Sequence, residues 1–258
     1  MNKLLMLHGA VGAKDQLAGL KELLSTGFEV HTLNFSGHGG SDIPEEPFTM
    51  DLFAGDIITY LDSNNIDEIK IPDEPFTIDM FARDIITYLG SNNVDEICIF
   101  GYSMGGYAAL YAALNNPGRI AKIFTLATKF EWIPEIAERE VKMLDAEKLK
   151  VKVPKFVAEL AKRHGEDKWV TLLQKTADMM TGLGNKNVLS AELLNQINNK
   201  VLVGIGDSDK MVSLEETIAA YRALSNANLI VLPATPHPIE MADSTRLAAE
   251  IKSFFKKT

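Results

Sequence analysis

EICIFGYSMGGYAALYAALNNP, residues 96–117, passes from a run rich in Ile and Phe into one rich in Ala through a serine set among glycines. The first half reads as a strand and the second as a helix, so GYSMGG, residues 101–106, is a strand-to-helix turn. Small residues on both sides of Ser103 are what such a turn needs, because its backbone is strained and closely packed. Ser103 then projects its hydroxyl over the end of a sheet, which makes it a candidate nucleophile.

Working outward, the same rhythm recurs. LLMLHG (4–9), FEVHTLNF (28–35), RIAKIFTLA (119–127), VLVGIGD (201–207) and NLIVLP (228–233) are short apolar runs, separated by helical patterns of ten or more residues. Strands alternating with helices build βαβ units, so the fold class is α/β. The expected core is a doubly wound, mainly parallel sheet of about six strands with helices on both faces. Residues 129–199 break the rhythm with successive helical patterns and no convincing strand. The expected organisation is therefore core (1–128), helical lid (129–199) and core again (200–258).

With 258 residues, 46% hydrophobic and 24% charged, the chain is long enough to bury a sizeable core. Its formal charge of -9 excludes non-specific binding to nucleic acid or to an anionic membrane, which would want clustered Lys and Arg. The single cysteine, Cys98, makes neither an internal disulfide nor a multi-thiolate metal site, and no apolar run approaches a membrane span. These features point to a cytoplasmic protein. DSDKMVSLEETI (207–218) begins like a calcium loop but carries Val212 and Ile218 where the turn glycine and bidentate carboxylate belong. No phosphate-binding glycine motif occurs, so neither a metal nor another cofactor is expected.

A serine hydroxyl is a poor nucleophile until a base takes its proton and a carboxylate orients that base. Of the five histidines, His31 lies in a strand-like run and His164 on a charged helix. His8 and His38 sit in early loops. His237, in LPATPHPIEM, follows the last strand-like run and would emerge at the same sheet edge as Ser103. VLVGIGDSD offers two carboxylates, Asp207 and Asp209. Serine, aspartate and histidine thus follow one another at three separate strand ends.

The chain resembles the α/β-hydrolase fold superfamily, of the small lid-bearing serine hydrolase type. GYSMGG, MLHGAVG, FSGHGGSD (35–42) and GDSDKMV carry the likeness. It implies a catalytic triad of Ser103, Asp209 and His237, with Asp207 ordering the loop. It also implies an oxyanion hole from the backbone N–H groups of Ala10 and Met104. Two departures stand out: the chain opens almost at its first strand, and Pro236 precedes His237 where the family more often has glycine. The implied activity is hydrolysis of a carboxylic ester of a small or apolar substrate. A catalytically weak binding protein on the same scaffold is the alternative. Within the lid, Trp132, Met179 and Met180, with Phe156 and Trp169, could face an apolar pocket.

One feature fits no hydrolase. EPFTMDLFAGDIITYLDSNNIDEIKI (46–71) returns as EPFTIDMFARDIITYLGSNNVDEICI (74–99), with 6 mismatches among 26 positions and hence 20 identities. Each copy reads as a helix followed by a strand, and one copy suffices to reach the Ser103 strand. The second has Arg83 for Gly55, a gain of about 0.5–1 kcal/mol in a helix interior, and Gly90 for Asp62 as a helix stop. The expectation is that the second copy takes the standard place. The first would be surplus at the sheet's edge or surface, its helix 49–61 free for a homodimer contact.

Overall fold

Residues 2–64, 97–116 and 118–256 are described by the computed structural model of the chain. Six strands form one sheet in the order β2-β1-β3-β4-β5-β6, every neighbouring pair parallel. They are β1 (Asn2–Leu7), β2 (Phe28–Thr32), β3 (Ile97–Tyr102), β4 (Ile120–Leu126), β5 (Lys200–Gly206) and β6 (Ala227–Leu232). The period-2 alternation of side chains sorts each strand between two cores. Leu5, Leu7, Ile97 and Ile99 face one side, and Leu4, Met6, Cys98 and Phe100 face the other. The second side is covered by α1 (Ala18–Leu24) and the C-terminal helix Ser244–Phe255, which places Phe255 and Ile251 on the sheet. Parallel strands buried on both faces explain why the runs read as continuously apolar.

The first side is covered by α2 (Met50–Ser63), which packs on α3 (Met104–Asn115), the helix that follows Ser103. Thr49 caps α2 by accepting from the Leu52 N–H at 3.1 Å, and Met50, Phe53, Ala54, Ile57 and Leu61 bury one face. This corrects the expectation that the first copy's helix is surplus at the edge or surface, while the expected strand of the second copy does run into Ser103. The helix in the crossover position belongs to the first copy, while β3 begins at the end of the second. The remaining repeat residues, including the second helical pattern, lie outside the described residues. The helix proposed for a dimer contact spends its apolar face within its own chain.

The reason is local. The two copies carry nearly the same apolar face, so core packing hardly separates them, and Gly55, where the second copy gains in propensity, is solvent-exposed in α2. Asp62, read as an inferior helix stop, instead pairs with Arg119 at 2.7 Å, a contact that glycine cannot make. The chain leaving β2 also meets the first copy before the second.

Between β4 and β5 run α4 (Pro134–Val141), α5 (Ala146–Lys152), α6 (Pro154–His164), α7 (Trp169–Asn185) and the single turn α8 (Ala191–Leu194). Proline at the first position of α4 and α6 costs no hydrogen bond there, and Gly165, at φ 102°, ends α6. Helix α9 (Leu214–Ala223) then joins β5 to β6, and the C-terminal helix is α10.

Candidate active site

Strand order reverses between β1 and β3, and in sheets of this kind ligands bind beyond the strand C-termini at such a switch. Ser103 stands there, with φ 51° and ψ −119°, a conformation that costs a non-glycine residue about 1–3 kcal/mol. Its surroundings hold it in place. The Ser103 N–H donates to the Leu126 carbonyl at 2.8 Å, and its own carbonyl accepts from the Gly106 N–H and the Thr128 hydroxyl, both at 3.0 Å. A Cβ on Gly101 would lie 2.5 Å from the Gly106 Cα, and one on Gly105 would lie 2.6 Å from the His8 carbonyl oxygen. The glycines of GYSMGG are therefore a steric requirement of the turn.

The loops after β5 and β6 press together, since a Cβ on Gly206 would fall 1.9 Å from the Thr235 carbonyl oxygen. This contact brings Asp209 to His237. The His237 Nδ1 donates to Asp209 Oδ2 at 2.8 Å, while Oδ1 accepts from the N–H groups of Met211 (2.8 Å) and Val212 (2.9 Å). Burial alone would raise the Asp209 carboxyl, but the His237 bond and these two amides hold it below its ordinary value. Asp207 is exposed and accepts from Ser208 Oγ at 2.9 Å and the Thr235 N–H at 3.3 Å, which stitches the two loops. The Tyr102 hydroxyl donates to the His237 carbonyl at 3.0 Å and steadies the same loop from the strand bearing the serine. Pro236 leaves the Asp209 contact intact.

Met104 opens α3, where a first-turn N–H has no partner within the helix. Among the described residues the N–H groups of Met104 and Ala10 donate to no protein acceptor. Three buried histidines back the loop that carries Ala10. His8 donates from Nδ1 to the Gly9 carbonyl (2.8 Å) and accepts at Nε2 from the Phe35 N–H (3.2 Å). His164, at the end of α6, donates from Nε2 to the Val11 carbonyl (2.9 Å) and accepts at Nδ1 from the Gly39 N–H (3.0 Å). His38 donates from Nδ1 to the Ser36 carbonyl (2.9 Å) and stacks on Phe48. Burial is the largest cause lowering all three, with His8 brought to about 4, so each stays neutral.

Ser103 and His237 share one cavity with Ala10, Met104, Trp132, Met179 and Met180. Its volume is only ≈ 60 Å³, so it is a narrow slot. Of the aromatic residues read as pocket candidates in the helical stretch, Trp132 lines it. Trp169 instead packs against Leu160 and Leu173, and Phe156 is exposed. Sequence reasoning missed Met50, Lys129, Glu140 and Met211, which also line the slot. Lys129 follows the β4 run directly, and its place beyond a strand C-terminus was the available signal. Met50 comes from the helix read as surplus. Among the described residues no group of three or more His, Cys, Asp or Glu could hold a metal ion. Nor is any described helix long and apolar enough to cross a membrane.

Comparison with known proteins agrees with the fold. A hydrolase from Pseudomonas aeruginosa PA01 superposes with a TM-score of 0.73 at 16% identity, covering 100% of this chain and 91% of that one. A thermophilic esterase from Thermogutta terrifontis gives 0.70 at 20% identity over 98% and 89%. The enol-lactonase from Burkholderia xenovorans LB400 gives 0.73 at 14% over 99% and 92%. No curated protein sequence matches the chain. The family model for the alpha/beta hydrolase fold matches residues 2–174, about two thirds of the length. With that match, and with the sheet and elbow described above, the chain belongs to the alpha/beta hydrolase fold family.

Proposed function

We propose that the protein is a serine hydrolase that cleaves a carboxylic ester of a small or apolar substrate through an acyl-enzyme. The observation that carries this reading is the 2.8 Å bond from His237 Nδ1 to Asp209 Oδ2 in a cavity shared with Ser103. With Nδ1 committed to the carboxylate, Nε2 is the nitrogen left to take the Ser103 proton. The serine oxygen attacks the ester carbonyl, and the Ala10 and Met104 amides receive the developing negative charge. His237 returns its proton to the departing alcohol, and water then repeats the sequence to release the acid. Similarity in fold to an esterase and a lactonase is in keeping with acyl transfer but leaves the bond type to chemistry, because one scaffold serves many reactions.

Helices α4 to α7 act as the lid over this site. They supply Glu140, Met179, Met180 and Leu183 to the slot. They are also tied to the core loops through His164 and through Lys175, whose ammonium donates to the Glu45 and Glu46 carbonyls at 3.0 and 2.7 Å. That tethering favours a fixed roof and a compact acyl group.

A fluorophosphonate probe and a short-chain p-nitrophenyl ester test the reading. The protein should be labelled at Ser103 and should hydrolyse the ester, and Ser103→Ala should lose both activities. An unlabelled serine, with unchanged behaviour in the variant, would leave a binding protein on a hydrolase scaffold.

A further inference from the structure

The chain leaving β4 touches both the serine turn and the loop that carries Asp209. Ala127, the first residue past the strand, holds φ 56°, a strained value for a non-glycine residue, and its N–H donates to the Gly204 carbonyl at 2.9 Å. The next two side chains then part. The Thr128 hydroxyl donates to the Ser103 carbonyl at 3.0 Å, and the Lys129 ammonium donates to the Met211 carbonyl at 2.8 Å.

That carbonyl belongs to the 211–212 peptide, whose own N–H, that of Val212, donates to Asp209 Oδ1 at 2.9 Å. The Met211 N–H donates to the same oxygen at 2.8 Å, and Oδ2 accepts from His237 Nδ1 at 2.8 Å. One peptide unit therefore has the ammonium on its oxygen and the carboxylate on its hydrogen. Hydrogen bonds in such a chain polarise one another, and a peptide gripped at both ends cannot turn its plane without losing both.

The charges around Lys129 agree with this use of it. Its side chain is only 10% exposed, and its ammonium faces Glu216 Oε2 at 3.5 Å and Glu140 Oε1 at 3.7 Å. Arg139 reaches that same Glu140 oxygen at 3.1 Å, so two cations meet two carboxylates and the cluster is balanced. The carboxylates offset the ammonium from a distance, while its one short contact goes to the neutral carbonyl. Glu216 also joins the two segments, since Oε1 accepts from the N–H groups of Phe130 (3.0 Å) and Glu131 (3.4 Å) and Oε2 from that of Ser213 (3.2 Å).

Resting on the serine hydrolase reading of Ser103, we infer that Lys129 is a positioning residue for Asp209: its ammonium fixes the 211–212 peptide, and that peptide fixes the carboxylate that orients His237. Because Lys129 acts through the acid, its effect falls on turnover and not on substrate binding.

Lys129→Met keeps the stem and removes the donor. With a short-chain p-nitrophenyl ester, kcat should fall about tenfold, the low end of what a hydrogen bond to a charged group is worth, while KM stays within about twofold. Lys129→Arg, which keeps a charged donor, should recover most of the loss. A second readout needs no turnover. In ¹⁵N-labelled protein the Val212 amide proton should move upfield in Lys129→Met, as its bond to Asp209 weakens, and return in Lys129→Arg. If Lys129→Met does not fold, Lys129→Gln takes its place with the same expected directions. An unmoved Val212 amide, a loss confined to KM or to the unfolding midpoint, or no recovery in Lys129→Arg would overturn the role. If the amide responds but wild type neither hydrolyses the ester nor reacts with a fluorophosphonate, the hydrolase reading falls and the hold of Lys129 on Asp209 stands. Ester hydrolysis with an unmoved amide gives the reverse.

Discussion

His237 and the cluster of His8, His38 and His164 sit at the same end of the sheet, and they use the imidazole in opposite ways. His237 has a carboxylate on one ring nitrogen, keeps 11% of its side chain exposed, and lines the slot. The clustered rings are buried, and where they bond they bond backbone groups. A carboxylate partner stabilises the imidazolium that forms when a proton is taken, which suits a base. Burial against neutral partners makes that proton costly, which suits a brace. Three of the five histidines therefore hold loops, with His164 fastening α6 to the turn beside Ala10, so histidine count near a site says little about catalysis.

The comparison can be tested most sharply at its charged partner. Asp209→Asn keeps the shape but removes the charge and favours the wrong tautomer of His237, so kcat should fall about 10⁴-fold while the unfolding midpoint changes little. An activity within tenfold of wild type would remove Asp209 from the chemistry. On the other side, His164→Leu should act on stability first. It leaves the Val11 carbonyl and Gly39 N–H without partners, a loss of about 1–3 kcal/mol for each group, read by denaturant unfolding.

A smaller effect follows from pH. The folded-state values of His8, His38 and His164 lie below the unfolded value near 6.5, so above that pH neither state binds the proton and stability is at its plateau. As pH falls below 6.5 the unfolded chain takes up protons that the folded chain refuses. Stability should then decline by about 1.4 kcal/mol per pH unit for each such histidine, down to about 4 for His8. His164→Leu should flatten that slope. A flat stability curve between pH 6.5 and 4 in the wild type would mean that these rings are not held neutral.

Much of this was legible in sequence because it is written in local patterns. Ile97 to Gly106 reads as a strand, a strained turn and a helix at a spacing that any reader of periodicity recovers, and the six strands fall within a few residues of their apolar runs. FEVHTLNF overran, since strand pairing stops at Thr32. Helix propensity is a poor guide between two copies with almost the same apolar face, whereas the apolar strand of the second copy does become β3. About 1 kcal/mol at exposed Gly55 is small beside the burial of Phe53, Ile57 and Leu61, and the Asp62–Arg119 pair is invisible without the partner. Lys129 was passed over because one lysine in a charged stretch looks solvated.

The sequence by itself determined the α/β alternation, the Ser103 elbow and the short roster of acids and bases that could serve it, because each rests on residues within a few positions of one another. Tertiary structure alone decided that Asp209 and not Asp207 meets His237, that the first repeat's helix fills the crossover, and that Glu216 accepts from the backbone of Phe130. Those outcomes depend on contacts 28 to more than 80 positions apart, as from His237 to Asp209 and from Phe130 to Glu216. Packing sets which distant groups come within 3 Å of each other, and local spacing does not carry that information.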